Sequence, residues 1–153
     1  MNSGHLKLRG CWGIVEISSF LSEATIPMRL AVQDSAASPW VVSLWFLYDD
    51  NAFWCATNRN AKLASYLQAH PQCGFEIAGD RPPYRGIRGK GKASVLPEKG
   101  EEILLRLLHR YGIPLESTLA RSLLAKADQE VAIAIRPGRI SSWDFTDRMA
   151  DAV

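Results

Sequence analysis

The sequence predicts a mainly β protein, an antiparallel barrel carrying a few helices outside it. Three observations lead there. Short apolar or alternating stretches bounded by turn residues recur along the chain, as strands do. Helical patterns are few and sit between groups of strands rather than alternating with them. No GxGxxG opens a helix, which disfavours a doubly wound parallel sheet.

The 153 residues suit one ordinary domain, large enough to bury a core without disulfides or metal. A hydrophobic content of 47% and a charged content of 22% are those of a globular protein. The net charge of +2 is too small to argue by itself for nucleic acid or a membrane surface. No apolar run is long enough to span a bilayer, and no secretory signal opens the chain. Cys11, Cys55 and Cys73 are odd in number and lack CxxC spacing, so they read as reduced thiols of a cytoplasmic protein.

Residues 1–10 are expected to form a loose arm. From Cys11 to Glu23, Ile14, Ile17, Phe20 and Leu21 fall at helical spacing. Met28–Val32 reads as a short strand, followed by a turn at 34–38. Trp40–Tyr48 then reads as one long strand, Asp49-Asp50-Asn51 as a tight reversal and Ala52–Ala56 as the returning strand. Lys62–Ala69 is a helix stopped by Pro71, and Cys73–Ala78 a strand. Tyr84–Leu96 is a longer strand whose glycines imply bending or close approach to its backbone. Pro97 opens a helix with an Ile103, Leu104, Leu107, Leu108 stripe, and a second helix covers Leu115–Ala127. Val131–Ile135 and Arg139–Phe145 are predicted strands separated by a turn at Pro137-Gly138.

The chemistry is concentrated between Trp40 and Lys62. Thr57, Asn58, Arg59, Asn60 and Lys62 place a hydroxyl, amides and two cations where a helix begins, a setting that suits a phosphate. The same residues also make good helix caps, and that bland reading stands beside the functional one. The neighbouring aromatics suit a flat cofactor, a core or a subunit interface. Arg88, Lys90 and Lys92 share one strand face, read first as solvated, second as an anion contact and third as a nucleic-acid surface. HExxH, cysteine clusters and GxSxG are missing, so metal hydrolysis and serine catalysis have little support.

Several stretches together resemble one family. They are Ile26-Pro27-Met28-Arg29-Leu30-Ala31, the strand from Pro39 to Phe46, Ala56-Thr57-Asn58 with Lys62, Pro83 through Gly89 leading to Gly91, and Trp143-Asp144-Phe145 with Arg148-Met149. In order and spacing they resemble the FMN-binding split-barrel proteins related to pyridoxamine 5′-phosphate oxidase. The resemblance implies an antiparallel split barrel and a homodimer with cofactor sites at the interface. FMN is the implied ligand, with a deazaflavin or haem as alternatives. It further implies that Val42, Ser43, Leu44 and Trp45 lie along the cofactor ring and that Thr57, Asn58 and Lys62 hold its phosphate. Tyr84, Arg85 and Gly86 would reach the cofactor from the partner chain, and Trp143 would cover the ring.

Two departures shape the expectation. The oxidase's arginine and lysine on the first strand of the hairpin fall at Val41 and Phe46 here, leaving Arg29 or Arg59 to replace the phosphate cation. Its terminal Arg-x-His pair is also missing, which weighs against vitamin B6 oxidation. The expected activity is therefore flavin-dependent transfer of hydride or electrons from a reduced nicotinamide or similar donor to a small acceptor. A carrier or sensor of flavin, deazaflavin or haem is the alternative, and a nucleic-acid-binding barrel a distant third.

Overall fold

The computed structural model describes residues 5–153; the first part of the expected arm, residues 1–4, lies outside the described residues. Eight strands and four helices follow one another as β1 (Lys7–Gly10), α1 (Ile14–Glu23), β2 (Met28–Gln33), β3 (Pro39–Leu44), β4 (Leu47–Asp49), β5 (Ala52–Asn58), α2 (Lys62–Ala69), β6 (Gln72–Ala78), β7 (Arg85–Leu96), α3 (Gly100–Arg110), α4 (Thr118–Leu124) and β8 (Glu130–Asp144). The strands form one sheet in the order β3-β2-β6-β7-β8-β5-β4, antiparallel throughout; β1 adds to β8 in parallel.

The sheet curls because its inner face must bury large side chains. Met28, Leu30, Phe46, Phe53, Phe75, Ile87, Ile133 and Ile140 form one core, with the Phe53 and Phe75 rings tilted against each other at 4.7 Å between centroids. α1 closes that core with Ile17 and Leu21. On the far side of β5 and β8, α3 packs Ile103 and Leu107 against Trp54, Ala132 and Ala134 in a second core. Alternate residues of β8 thus serve two cores, which explains why Glu130–Ile135 is buried on both faces.

The predicted strand from Trp40 to Tyr48 is two strands. β3 ends at Leu44, Trp45 and Phe46 leave the ladder, and only β4 pairs with β5. β3 pairs instead with β2. The break has a visible cause: the Phe46 N–H donates to the Tyr111 hydroxyl at 3.2 Å rather than to a neighbouring strand. The turn at Asp50-Asn51 is as expected, both residues having positive φ (49° and 55°), as a two-residue type I′ hairpin requires.

Pro137-Gly138 does not turn the chain; β8 runs through it. Gly91 pairs with Pro137 and Lys90 with Arg139, so Gly138 is an extra, bulged residue. Proline has no N–H to give a ladder, and a bulge accommodates it. The arm is likewise ordered from Lys7 to Gly10, where the strand runs alongside Arg139–Ser142. Gly10 has φ 94°, and a Cβ there would collide with the Ser142 carbonyl. Both predicted outer helices are shorter than expected: α1 begins at Ile14, where Glu16 accepts from the Gly13 N–H at 3.0 Å, and α4 spans Thr118–Leu124 behind its Ser117 cap.

Candidate functional site

β3 and β4 are the two ends of the sheet path, so the barrel is not closed by a ladder between them. Beyond Trp54, β5 outruns its partner β4. A cavity of about 470 Å³ opens in this split. One wall is Ser43, Leu44 and Trp45 at the end of β3; the other is Ala56, Thr57 and Asn58 at the end of β5. Leu104 and Leu107 of α3 and Leu123 beside them supply an apolar surface, and Glu130 heads β8 at the rim of β5. The volume lies within the roughly 300–1,000 Å³ of small-molecule and cofactor sites.

Trp45 is fixed as a wall. Its ring stacks on Tyr111 at 5.1 Å and 18°, and the Tyr111 hydroxyl donates to the Ile26 carbonyl while accepting from Phe46. Asn58 is fixed too: its Oδ1 accepts from the Asn60 N–H at 2.9 Å, leaving its amide NH₂ as the free donor. Glu130 pairs with Asn58 across the β5–β8 ladder and is only 9% exposed. Burial, with no compensating charge or hydrogen bond, pushes its pKa up. It is the one side chain lining the cavity with an acid or base to offer.

A second cavity of about 510 Å³ lies on the outer sheet face. Arg29, Arg88, Lys90 and Arg139 stand around a floor that includes Ala31 and Gly74, with Glu76 among them. Its polar row follows the register across four strands: Arg29, Glu76, Arg88 and Ser141. The basic face seen on β7 alone is therefore one part of a wider cationic surface.

No protein-family model matches the sequence, and no curated protein matches it. Solved structures do. A conserved hypothetical protein from Mycobacterium tuberculosis superposes with a TM-score of 0.73 at 22% identity, over 88% of this chain and 86% of its own. An F420 reductase gives 0.68 at 23% identity, over 79% and 93%. A protein described as a candidate pyridoxamine 5′-phosphate oxidase, from Listeria innocua, gives 0.62 at 18%, over 84% and 95%. This is the split-barrel fold of the pyridoxamine 5′-phosphate oxidase-like proteins. A haem storage protein from Vibrio cholerae and an FAD-binding protein from Mesorhizobium loti share the split barrel with TM-scores of 0.62 and 0.61. By their descriptions, these neighbours handle F420, haem or FAD. At such identities the likeness establishes the fold and nothing finer.

Within this split barrel the predicted site residues divide. Ser43, Leu44, Trp45, Thr57 and Asn58 meet in the cavity. Val42 does not: strand alternation turns it inward against the main core. Arg59 donates to the Asp128 carbonyl at 2.7 Å and does not line the cavity. Lys62 is exposed at the first turn of α2, also outside the lining. Arg29 points to the outer face. Arg85 and Gly86 start β7 beside Tyr84, at the end where β7 meets Trp143 and Asp144, and Trp143 lies under the Arg88 guanidinium at 4.9 Å. None of these four lines the cavity within one chain. Sequence reasoning missed Pro27, Leu104, Leu107, Leu123 and Glu130. Only Glu130 carried a signal, a carboxylate heading the apolar run Val131–Ile135.

Proposed function

We propose that this protein binds a phosphorylated tricyclic redox cofactor, FMN or a deazaflavin, in the β3–β5 cavity. With it, the protein would move hydride or electrons from a reduced nicotinamide or similar donor to a small acceptor. The observation that carries this reading is the meeting of Ser43, Leu44 and Trp45 with Thr57 and Asn58 around one cavity of cofactor size. Flavin and F420 appear in the descriptions of proteins with the same fold, which supports it further.

The residues fit a flat ring better than they fit a buried phosphate. Leu44, Trp45, Leu104 and Leu107 offer an apolar wall that excludes water, and Thr57 and Asn58 offer polar contacts at one edge. No lysine or arginine is among the lining residues, so a phosphate belongs at the mouth, where Arg29 and Lys62 are the cations to hold it. The redox chemistry is the cofactor's; the chain binds, orients and shields it. In this reading a second copy of the chain brings Tyr84, Arg85, Gly86 and Trp143 to the same cofactor, as a homodimer. Haem is less well served, since the lining holds no His, Cys, Met or Tyr to ligate iron.

The absorbance spectrum of the purified protein, followed by FMN and F420 titrations, tests the reading. Saturable binding with a flavin-type spectrum is expected, and bleaching by NADH or NADPH with reoxidation by an acceptor marks an enzyme. Saturable binding without bleaching marks a carrier or sensor. Failure to take up either cofactor sinks the proposal.

A further inference from the structure

We infer that Arg110 is a positioning residue for the β3–β5 cavity: it lies outside the lining, yet it clamps the chain between α1 and β2 and so sets Pro27 and Arg29. This rests on the reading of that cavity as the cofactor site, in which Arg29 is one of the two cations given to the phosphate.

α1 has no cation of its own at its end. Its last turn holds no basic residue, and a helix end leaves its last carbonyls without intrahelical donors. Arg110, the last residue of α3, supplies both the charge and the donors. Its Nη2 donates to the Leu21 and Ala24 carbonyls, each at 2.6 Å, and its Nη1 to the Ser22 carbonyl at 3.4 Å. The same guanidinium lies over the Phe46 ring, 5.1 Å from its centroid.

Residues 24–27 connect α1 to β2, and three side chains hold this connection by its carbonyls. Arg110 takes Ala24, Tyr111 takes Ile26 at 3.1 Å, and Arg29 takes Pro27 at 3.1 Å. Pro27 lines the cavity, and Arg29 stands outside it in the cationic groove. Across the cavity mouth, Trp45 stacks on Tyr111, and the next residue, Phe46, lies under Arg110 and donates its N–H to Tyr111. Two consecutive residues at the end of α3 thus grip both irregular segments of the wall, 24–27 and 45–46. Releasing the Arg110 grip frees the connection at its α1 end, and the shift passes through Pro27 to Arg29. A guanidinium carries five N–H donors, so Arg29 can hold the Pro27 carbonyl and still offer donors to a phosphate. Where those donors point depends on the shell behind them.

The test compares wild type with Arg110→Ala, in two measurements. The first is hydrogen exchange on the ligand-free protein. R110A is expected to exchange about tenfold faster or more in peptides covering 24–30 and 44–47, as well as at the end of α1. Faster exchange confined to 20–24 would make Arg110 a helix cap and nothing more, and would overturn the inference. The second is a double-mutant cycle with Arg29→Ala, read by titration with FMN, or with F420 if that is what the protein takes up. R110A is expected to weaken the cofactor about tenfold beside a native Arg29 and about twofold in the R29A background, where no Arg29 is left to misplace. Equal losses in the two backgrounds, or no loss in either, overturn the inference while the cofactor reading stands. Wild type that takes up neither cofactor removes that reading, and hydrogen exchange alone then decides whether Arg110 sets the cavity wall. If R110A does not fold, Arg110→Lys, which keeps the charge and fewer donors, runs both measurements under the same criteria.

Discussion

Arg29 and Ser43 stand opposite each other across the β2–β3 ladder, and they serve different cavities: Ser43 lines the split between β3 and β5, Arg29 the cationic groove outside it. A ligand seated against Ser43 with an anionic end leaving the cavity meets Arg29 one strand over, since neighbouring strands are about 4.8 Å apart. Arg29→Ala is expected to weaken FMN about tenfold or more, the range of one charge-assisted contact, and riboflavin much less. Arg59→Ala is expected to leave both affinities nearly unchanged, because Arg59 lines neither cavity and its guanidinium turns to the Asp128 carbonyl. Fluorescence titration at two salt concentrations checks both; equal losses for FMN and riboflavin in R29A rule out the role given to Arg29.

Tyr111 holds the wall of the site through its hydroxyl, which bridges the Phe46 N–H and the Ile26 carbonyl. Tyr111→Phe keeps the stacking on Trp45 but strands a backbone donor and an acceptor. A loss of about 1–3 kcal/mol in unfolding free energy is expected, as for other buried polar groups left without partners. Urea denaturation with unchanged m-value gives the measurement, and an unaltered midpoint contradicts it.

The three cysteines should separate by reactivity. Cys55 and Cys73 are buried thiols; burial holds Cys73 up to about 11 and pushes Cys55 higher still, so neither forms the reactive thiolate near neutral pH. Cys11 is exposed. At pH 8 a chromogenic disulfide reagent should titrate one fast thiol per folded chain and three after denaturation. A second fast thiol in the folded protein shows that β5 or β6 opens readily.

Two glycines should respond oppositely to alanine. A Cβ at Gly89 would overlap the Arg139 carbonyl and come 2.5 Å from Phe75 Cζ, whereas one at Gly138 meets nothing within 4 Å. Gly89→Ala is expected to lose about 1–3 kcal/mol through overpacking, and Gly138→Ala to stay within about 0.5 kcal/mol of wild type. Thermal melts compared side by side decide it.

Much of this was readable from residue order. Short-range chemistry carried the Asp50-Asn51 hairpin and the start of α2, whereas the grouping of Ser43–Trp45 with Thr57-Asn58 came from the family resemblance. What escaped depended on partners distant in sequence. Nothing near Trp45 reveals that Tyr111, 65 residues from Phe46, pulls the chain out of the ladder and splits the predicted strand. β8 defeats pattern reading because the residues facing the main core are Ile133 and Ile135 before the bulge and Ile140 after it, so their parity changes. With Pro137-Gly138 at the change, a turn was the natural inference. Arg59 and Lys62 sat at the right spacing for a phosphate, but spacing does not say which way a long side chain leaves its loop. Glu130 could be placed in the site only once β8 was known to lie beside β5.

Gly138 also bears on how this barrel tolerates changes of length. Because it is the one residue between Ala132 and Asp144 that opposes nothing on β7, removing it would bring Pro137 and Arg139 into consecutive register with Gly91 and Lys90 and leave every later side chain on its present face. A single-codon deletion in the middle of the longest strand would then be absorbed as lost local twist, while the same deletion two positions to either side would turn part of the strand inside out.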